Sequence, residues 1–153
     1  MKVPIKITKA ELCDMPDILK LQYAAYQSEA ERYNNFSIQP LTQTLEQLAE
    51  EYKGCTMLKA VIDGKIAGSV RALEENNTVY IGKLMVFPEY QNRGIGKSLM
   101  TAIEAAFPHK RYELFTGAKS EKNIALYEKR GYRRFKEKEE APGLTFVYME
   151  KFP

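Results

Sequence analysis

The stretch Gln91–Met100 reads QNRGIGKSLM and ends in Gly96-Lys97-Ser98. That ending also closes the phosphate loop of many ATP- and GTP-hydrolysing enzymes. Such a loop needs a further glycine five positions before the Gly of Gly-Lys-Ser. Gln91 stands there, so the pattern fails. A dinucleotide fingerprint needs Gly-x-Gly-x-x-Gly. After Gly94 and Gly96 the third position is Leu99, so this fails as well. What remains is a strand, a glycine pair and a helix. TVYIGKLMVF, over 78–87, reads as the strand, and Ile95, Leu99, Ile103 and Ala106 recur at helical spacing. The helix therefore begins at the glycines. A helix start exposes unpaired N–H groups and carries roughly half a positive charge. Gly94 and Gly96 let a ligand approach the backbone closely, and Arg93 and Lys97 add charge. The place suits a pyrophosphate. A plain strand-to-helix turn that uses glycine for its backbone angles would read the same way.

Outward from this loop the chain alternates strands and helices. VPIKIT (3–8) reads as a strand, and CDMPDILKLQYAAY (13–26) as a helix with Asp14 as cap and Pro16 in its first turn. QSEAERYNNFSIQP (27–40) has no clear period and reads as a helix end plus loop, and LTQTLEQLAEEY (41–52) as a second helix. Asp63-Gly64 makes a hairpin of residues 56–73, and EENNTV turns the chain into the strand before the loop. RYELFT (111–116) is a strand. SEKNIALYEKRGY (120–132) is a helix with Ser120 as cap and Gly131 as stop. Residues 132–138 and 144–152 form two last strands about Pro142-Gly143. The order is β-α-α-β-β-β-α-β-α-β-β. It mixes hairpins with crossovers, so the class is mixed α/β (α+β) with one largely central sheet. Gly82 interrupts the strand before the loop, which signals a bulge or a close backbone approach.

The 153 residues suit one domain able to bury its own core. Apolar residues make up 44% and charged residues 28%, an ordinary globular balance. The net charge of +3 is too small to point to nucleic acid. Cys13 and Cys55 form no close metal-binding pair and read as two reduced thiols; no metal is expected. The N-terminus has no apolar run of signal-peptide kind, and no segment reaches the about 18 apolar residues of a membrane span. A cytoplasmic protein without membrane attachment is expected. His109, after a helix end and before a strand, lies on the wrong side for a cleft and reads as a surface loop residue.

A second cluster lies in KNIALYEKRGY. Asn123 and Tyr127, four apart, share one helical face. Tyr127 taken alone reads equally as a core tyrosine. Together, residues 81–107 and 113–135 resemble the GNAT superfamily of N-acetyltransferases. The first stretch matches its acyl-CoA motif, Gln/Arg-x-x-Gly-x-Gly/Ala, at Gln91, Gly94 and Gly96. The second matches Asn…Leu-Tyr-Glu-Lys-x-Gly-Tyr/Phe at Asn123, Leu126 to Lys129, Gly131 and Tyr132. The element order is also the GNAT order over nearly the whole chain.

The resemblance implies a mostly antiparallel mixed sheet flanked by helices, with acetyl-CoA as cosubstrate. It implies that Leu84, Met85 and Val86 line the pantetheine arm through their backbone. Gln91, Asn92, Arg93, Gly94, Ile95, Gly96, Lys97 and Ser98 would surround the pyrophosphate, and Asn123 would bond the pantetheine or thioester region. Tyr127 takes the general-acid position; its unperturbed pKa near ~10 lets it donate at neutral pH. The base stays open among Glu29, Glu31, Glu74, its neighbour Glu75 and a water chain. The acceptor is an amine, with a small primary amine preferred over a protein. Tyr23, Tyr26, Tyr33 and Phe36 would form an aromatic wall, and Glu29 and Glu31 would attract a cation. The alternative class is a non-catalytic acyl-CoA-binding or sensing module on the same fold. Many GNAT relatives pair, so a homodimer is compatible with the resemblance.

Overall fold

The computed structural model describes residues 4–153. Its elements are β1 (Lys6–Lys9), α1 (Met15–Tyr33), α2 (Gln39–Thr42), α3 (Leu45–Lys53), β2 (Thr56–Ile62), β3 (Lys65–Glu75), β4 (Thr78–Val86), α4 (Ile95–Ala106), β5 (Arg111–Gly117), α5 (Glu121–Lys129), β6 (Arg133–Ala141) and β7 (Leu144–Lys151). Val3, expected in the first strand, lies outside the described residues. The strands form one seven-stranded sheet in the order β1-β2-β3-β4-β5-β7-β6. Every neighbouring pair is antiparallel except β4 and β5.

Local chemistry accounts for most element ends. Asp63 and Gly64 turn the first hairpin with φ of 49° and 76°, and Asn76 and Asn77 turn the next with 51° and 66°. Both pairs supply the left-handed backbone that a tight hairpin turn demands. Thr44 and Gln47 close a capping box at the start of α3. Past α5, Tyr132 donates its N–H to the Tyr127 carbonyl at 3.0 Å, with Gly131 at φ 96° between them. This is the glycine-stopped helix end that the sequence announces.

Two caps act differently from expectation. Asp14 precedes α1 but makes no cap bond to it. Its carboxylate accepts from the Glu11 N–H (2.8 Å) and from the Lys59 ammonium (2.7 Å). The Ser120 hydroxyl likewise leaves the start of α5 uncapped and donates to Glu29 on α1. The first helix is also longer than its periodicity suggests. It runs to Tyr33, through polar residues read as loop, and the short α2 follows. The polar tail is held by cross-chain bonds: the Tyr33 hydroxyl accepts the Lys119 N–H at 2.8 Å, and Glu29 holds Ser120.

Two hydrophobic cores lie on opposite faces of the sheet. On one, α4 and α5 pack Leu99, Ile103, Ile124 and Tyr127 over Val70, Ala72, Val79 and Ile81. On the other, α1 and α3 pack Ile18, Leu21 and Leu48 over Met57 and Met85. Neighbouring residues of one strand thus serve opposite cores, as the two-residue repeat of a strand requires. Gly68 sits where α4 presses on β3. A Cβ there would lie 2.7 Å from the Met85 carbonyl oxygen and 3.0 Å from Ile95 Cγ2. This contact fixes the start of α4 against β3 and β4, which matters for the loop before it.

Candidate active site

The cleft begins with a mismatch in the sheet. On β3, Ser69 pairs with Met85 and Arg71 with Gly82, so β4 spends one residue more than its partner. The extra residue makes a bulge, and Lys83 within it takes φ 48°, a conformation non-glycine side chains rarely adopt. Gly82 itself meets nothing within 4 Å of a built Cβ. The bulge that Gly82 announced is real, but the strained residue is its neighbour. A bulge bends and twists its strand. Accordingly β4 and β5 pair only over Thr78–Arg111, Val79–Tyr112 and Tyr80–Glu113, and then separate. The gap opens into a cleft of about 1270 Å³.

One wall of the cleft is the free edge of β4. Phe87 donates its N–H to Ala67 at 2.9 Å, toward β3. Alternation along a strand then turns the Val86 N–H the other way, into the gap. Leu84 and Val86 are half-buried here, whereas the Met85 side chain lies in the core beneath α1 and α3. At the start of α4, Gly94 has φ 80° and no side chain caps the helix. The first intrahelical bond runs from the Ser98 N–H to the Gly94 carbonyl (3.0 Å). The N–H groups of Ile95, Gly96 and Lys97 therefore have no intrahelical acceptor. Gln91, Asn92, Gly94, Ile95, Gly96 and Lys97 line the cleft, although the Ile95 side chain is core. Arg93 and Ser98 do not line it; the Arg93 guanidinium lies 5.3 Å from the Tyr90 ring centre. Lys122 donates to the Asn92 side chain at 2.9 Å and ties the loop to α5.

The facing wall is α5 with the end of β5. Asn123 lines the cleft and donates to Thr116 Oγ1 at 3.5 Å. Tyr127 is buried against Tyr132, ring centres 5.9 Å apart. Its hydroxyl makes no hydrogen bond among the described residues, yet it is not sealed off as the orphaned atoms Arg71 Nε and Arg130 Nε are. Burial, then the neighbouring Tyr26 and Glu29, push the Tyr127 phenol above its ordinary value. Tyr26, on the cleft across from it, is pushed up to about 12, chiefly by burial. Both phenols therefore hold their protons at neutral pH.

Of the four carboxylates considered as base, Glu29 alone lines the cleft. It accepts from the Ser120 hydroxyl (2.8 Å) and from Arg32 (2.6 Å). Glu31 is exposed and outside the cleft; Glu74 is exposed too and pairs with Lys110 at 3.1 Å, away from the gap. The aromatic wall is partly different from the one expected. Tyr26 and Tyr33 line the cleft, while Tyr23 and Phe36 are exposed outside it, and Phe115 and Phe146 stand in their place. His109 is exposed, as expected.

A polar cluster beneath α1 and α3 escaped the sequence reading. Arg71 on β3, Glu51 on α3 and Lys83 on the bulge meet there, all lining the cleft. Burial alone would raise the Glu51 carboxyl, but Arg71, Gln43 and Lys83 together hold it below its ordinary value. The Lys83 ammonium is held below its ordinary value by burial and then by Arg71, against the pull of Glu51. One signal was available: SVRAL and IGKLMV each place a cation inside an apolar strand.

The splayed strand pair and the glycine-led helix start define an acyltransferase architecture. An acetyltransferase (GNAT) domain model matches residues 23–152, and the chain belongs to the GNAT family. N-acetylaspartate synthetases of Rattus norvegicus and Homo sapiens are each 32% identical to it over 114 residues. The match covers 70% of this chain and 38% of each relative, so the chain corresponds to well under half the length of either. Among solved structures, the ribosomal-protein-S18-alanine N-acetyltransferase of Escherichia coli superposes with a TM-score of 0.81 at 16% identity, over 97% of this chain and 94% of that one. The PaiA N-acetyltransferase of Thermoplasma acidophilum, in complex with coenzyme A, gives 0.79 at 19% identity over 98% and 99%. These show the same fold. Among the described residues no helix is long and apolar enough to cross a membrane.

Proposed function

We propose that the chain is one acetyltransferase domain, residues 1–153, that moves the acetyl group of acetyl-CoA to a primary amine by direct attack. The observation that carries this reading is the gap between β4 and β5, with the uncapped start of α4 and the accessible Tyr127 hydroxyl on its lining. The N–H groups of Ile95, Gly96 and Lys97 suit a pyrophosphate, which needs donors and positive potential. Acetyl-CoA supplies the acetyl thioester. Asn123, on the cleft lining, would bond the pantetheine arm, and the Leu84–Val86 edge would pair with that arm's amides.

Transfer forms a C–N bond, breaks the C–S bond, takes a proton from the amine and gives one to the thiolate. The Val86 N–H, preorganised and facing the gap, suits the tetrahedral oxyanion. Tyr127 donates to the departing sulfur. Glu29, which lines the cleft, would receive the amine proton, directly or through water. Glu29→Gln is expected to lower kcat by ~10²-fold, the low end for general base catalysis. An unchanged kcat would remove Glu29 as the base.

The deciding experiment is a calorimetric titration with acetyl-CoA, with ATP and Mg²⁺ as control, followed by thiol release over an amine panel. Binding of acetyl-CoA alone, with turnover, is expected. Binding without turnover on any amine would leave an acyl-CoA-sensing module. No acetyl-CoA binding would withdraw the enzyme reading.

A further inference from the structure

The cleft floor beneath α1 and α3 holds more positive charge than its own carboxylate balances. Arg71 is 3% exposed. It donates to Glu51 Oε1 at 3.0 Å and to the Gln22 side-chain carbonyl, while its Nε has no partner among the described residues. The Lys83 ammonium lies 3.7 Å from the same Glu51 oxygen, and the Gln43 amide donates to it at 2.8 Å. One carboxylate oxygen thus serves two cations and an amide. The neighbouring acids offer no relief: Glu29 is committed to Arg32 and Ser120, and Glu50 to Lys53. A buried cation without a full partner is costly to keep. Here the cost is incurred where the cleft wall is also strained, because Lys83 occupies the left-handed bulge position of β4. The bulge that opens the gap also aims this ammonium at its floor. Gln22 completes the arrangement: its amide is anchored on the Pro40 carbonyl (2.8 Å) and on Gln43 (2.9 Å), so its carbonyl holds the guanidinium in place.

We propose that Lys83 forms an anion subsite of the acceptor pocket, with the charge of Arg71 behind it, so that the amine acetylated here carries a carboxylate, as an amino acid does. The acceptor role rests on the acetyl-transfer reading above; the anion subsite stands on the cluster itself. The floor selects in two directions. It holds a carboxylate through charge-assisted bonds, and it repels amines with several positive charges, such as polyamines and aminoglycosides. The expected cation attraction by Glu29 and Glu31 is thereby reversed, since Glu31 is outside the cleft and Glu29 is already paired.

The test compares isosteric pairs that differ in charge. The full chain is titrated calorimetrically with L-aspartate and L-leucine, and with L-aspartic diamide and L-leucinamide. At least one carboxylate is expected to bind tenfold to a hundredfold more tightly than its amide, roughly the worth of a hydrogen bond to a charged group. Lys83→Met is expected to abolish that difference and Lys83→Arg to keep it. Lys83→Gly, which relieves the φ of 48°, repeats the charge removal in a variant whose backbone is at ease. Equal binding of acid and amide, tighter binding of the amides, or no binding of either acid overturns the subsite. Thiol release with acetyl-CoA is read in parallel. Turnover without carboxylate preference sinks the subsite and leaves acetyl transfer standing; carboxylate preference without turnover on any amine of the panel supports the subsite and sinks acetyl transfer.

Discussion

Tyr127→Phe is expected to lower kcat by ~10²-fold, the low end for general acid catalysis, with acetyl-CoA affinity unchanged. The substitution removes one oxygen from a side chain whose ring is fixed by core packing. Tyr127 lies in the core with Ile124 and packs against Tyr132 with the rings tilted at 60°, so the ring of the phenylalanine keeps its place. The hydroxyl has no bond among the described residues to lose, so folding should be indifferent to it. Its raised pKa keeps the phenol protonated, with a proton to donate, across the working pH range. The measurement is kcat by thiol release under conditions where chemistry limits the rate, beside a calorimetric Kd for acetyl-CoA. An unchanged kcat would remove Tyr127 from the mechanism. A matched loss of acetyl-CoA affinity would make it a binding residue instead.

Glu104→Leu is expected to cost about 2 kcal/mol of stability at pH 7, the worth of a hydrogen bond to a charged group in a partly buried ion pair. Glu104 on α4 is 12% exposed and collects three donors: Arg130 at 2.8 Å, the Tyr132 hydroxyl at 2.7 Å and Lys151 at 3.2 Å. It therefore ties α4 to the end of α5 and to β7. Of these, α4 carries the glycine turn proposed to hold the pyrophosphate, and α5 carries Tyr127. Without Glu104, Arg130 loses its ion pair while its Nε already lacks a partner among the described residues. Burial alone would raise the Glu104 carboxyl, yet Tyr132, Arg130 and Lys151 hold it below its ordinary value of 4.5. A depressed carboxylate stabilises the fold fully above its unfolded pKa, and the gain is lost as pH falls through the folded value. The gap between wild type and variant in denaturant unfolding should thus be widest near neutrality and close below pH ~4.5. A gap independent of pH would show that Glu104 acts by packing and not by charge.

The parts of the site that were legible are those coded by neighbours in the chain. The two glycines of Gln91–Met100, the apolar residues behind them and the Asn123–Tyr127 spacing are short-range patterns, and each appears where the pattern places it. The polar tail of α1 was not legible, because residues 27–33 lack an apolar period and are held by Ser120 and the Lys119 N–H, about ninety positions away. The same distance explains the misplaced carboxylates. Sequence position put Glu31 and Glu74 near the cleft, but Glu31 is rotated about 200° from Glu29 on the helix, and a salt bridge with Lys110 holds Glu74 away.

By itself the sequence determined the hairpins, the helix stops, the glycine-led start of α4 and, through its two motifs, the family. These depend on backbone angles and on periods of two or 3.6 residues, which are local properties. Only the tertiary structure decided that β7 inserts between β5 and β6, that the strain of the bulge falls on Lys83, and that Arg71, Glu51 and Lys83 converge from β3, α3 and β4. Strand order and buried charge networks follow from which distant surfaces pack together. That choice is settled by the shared core and not by any one segment.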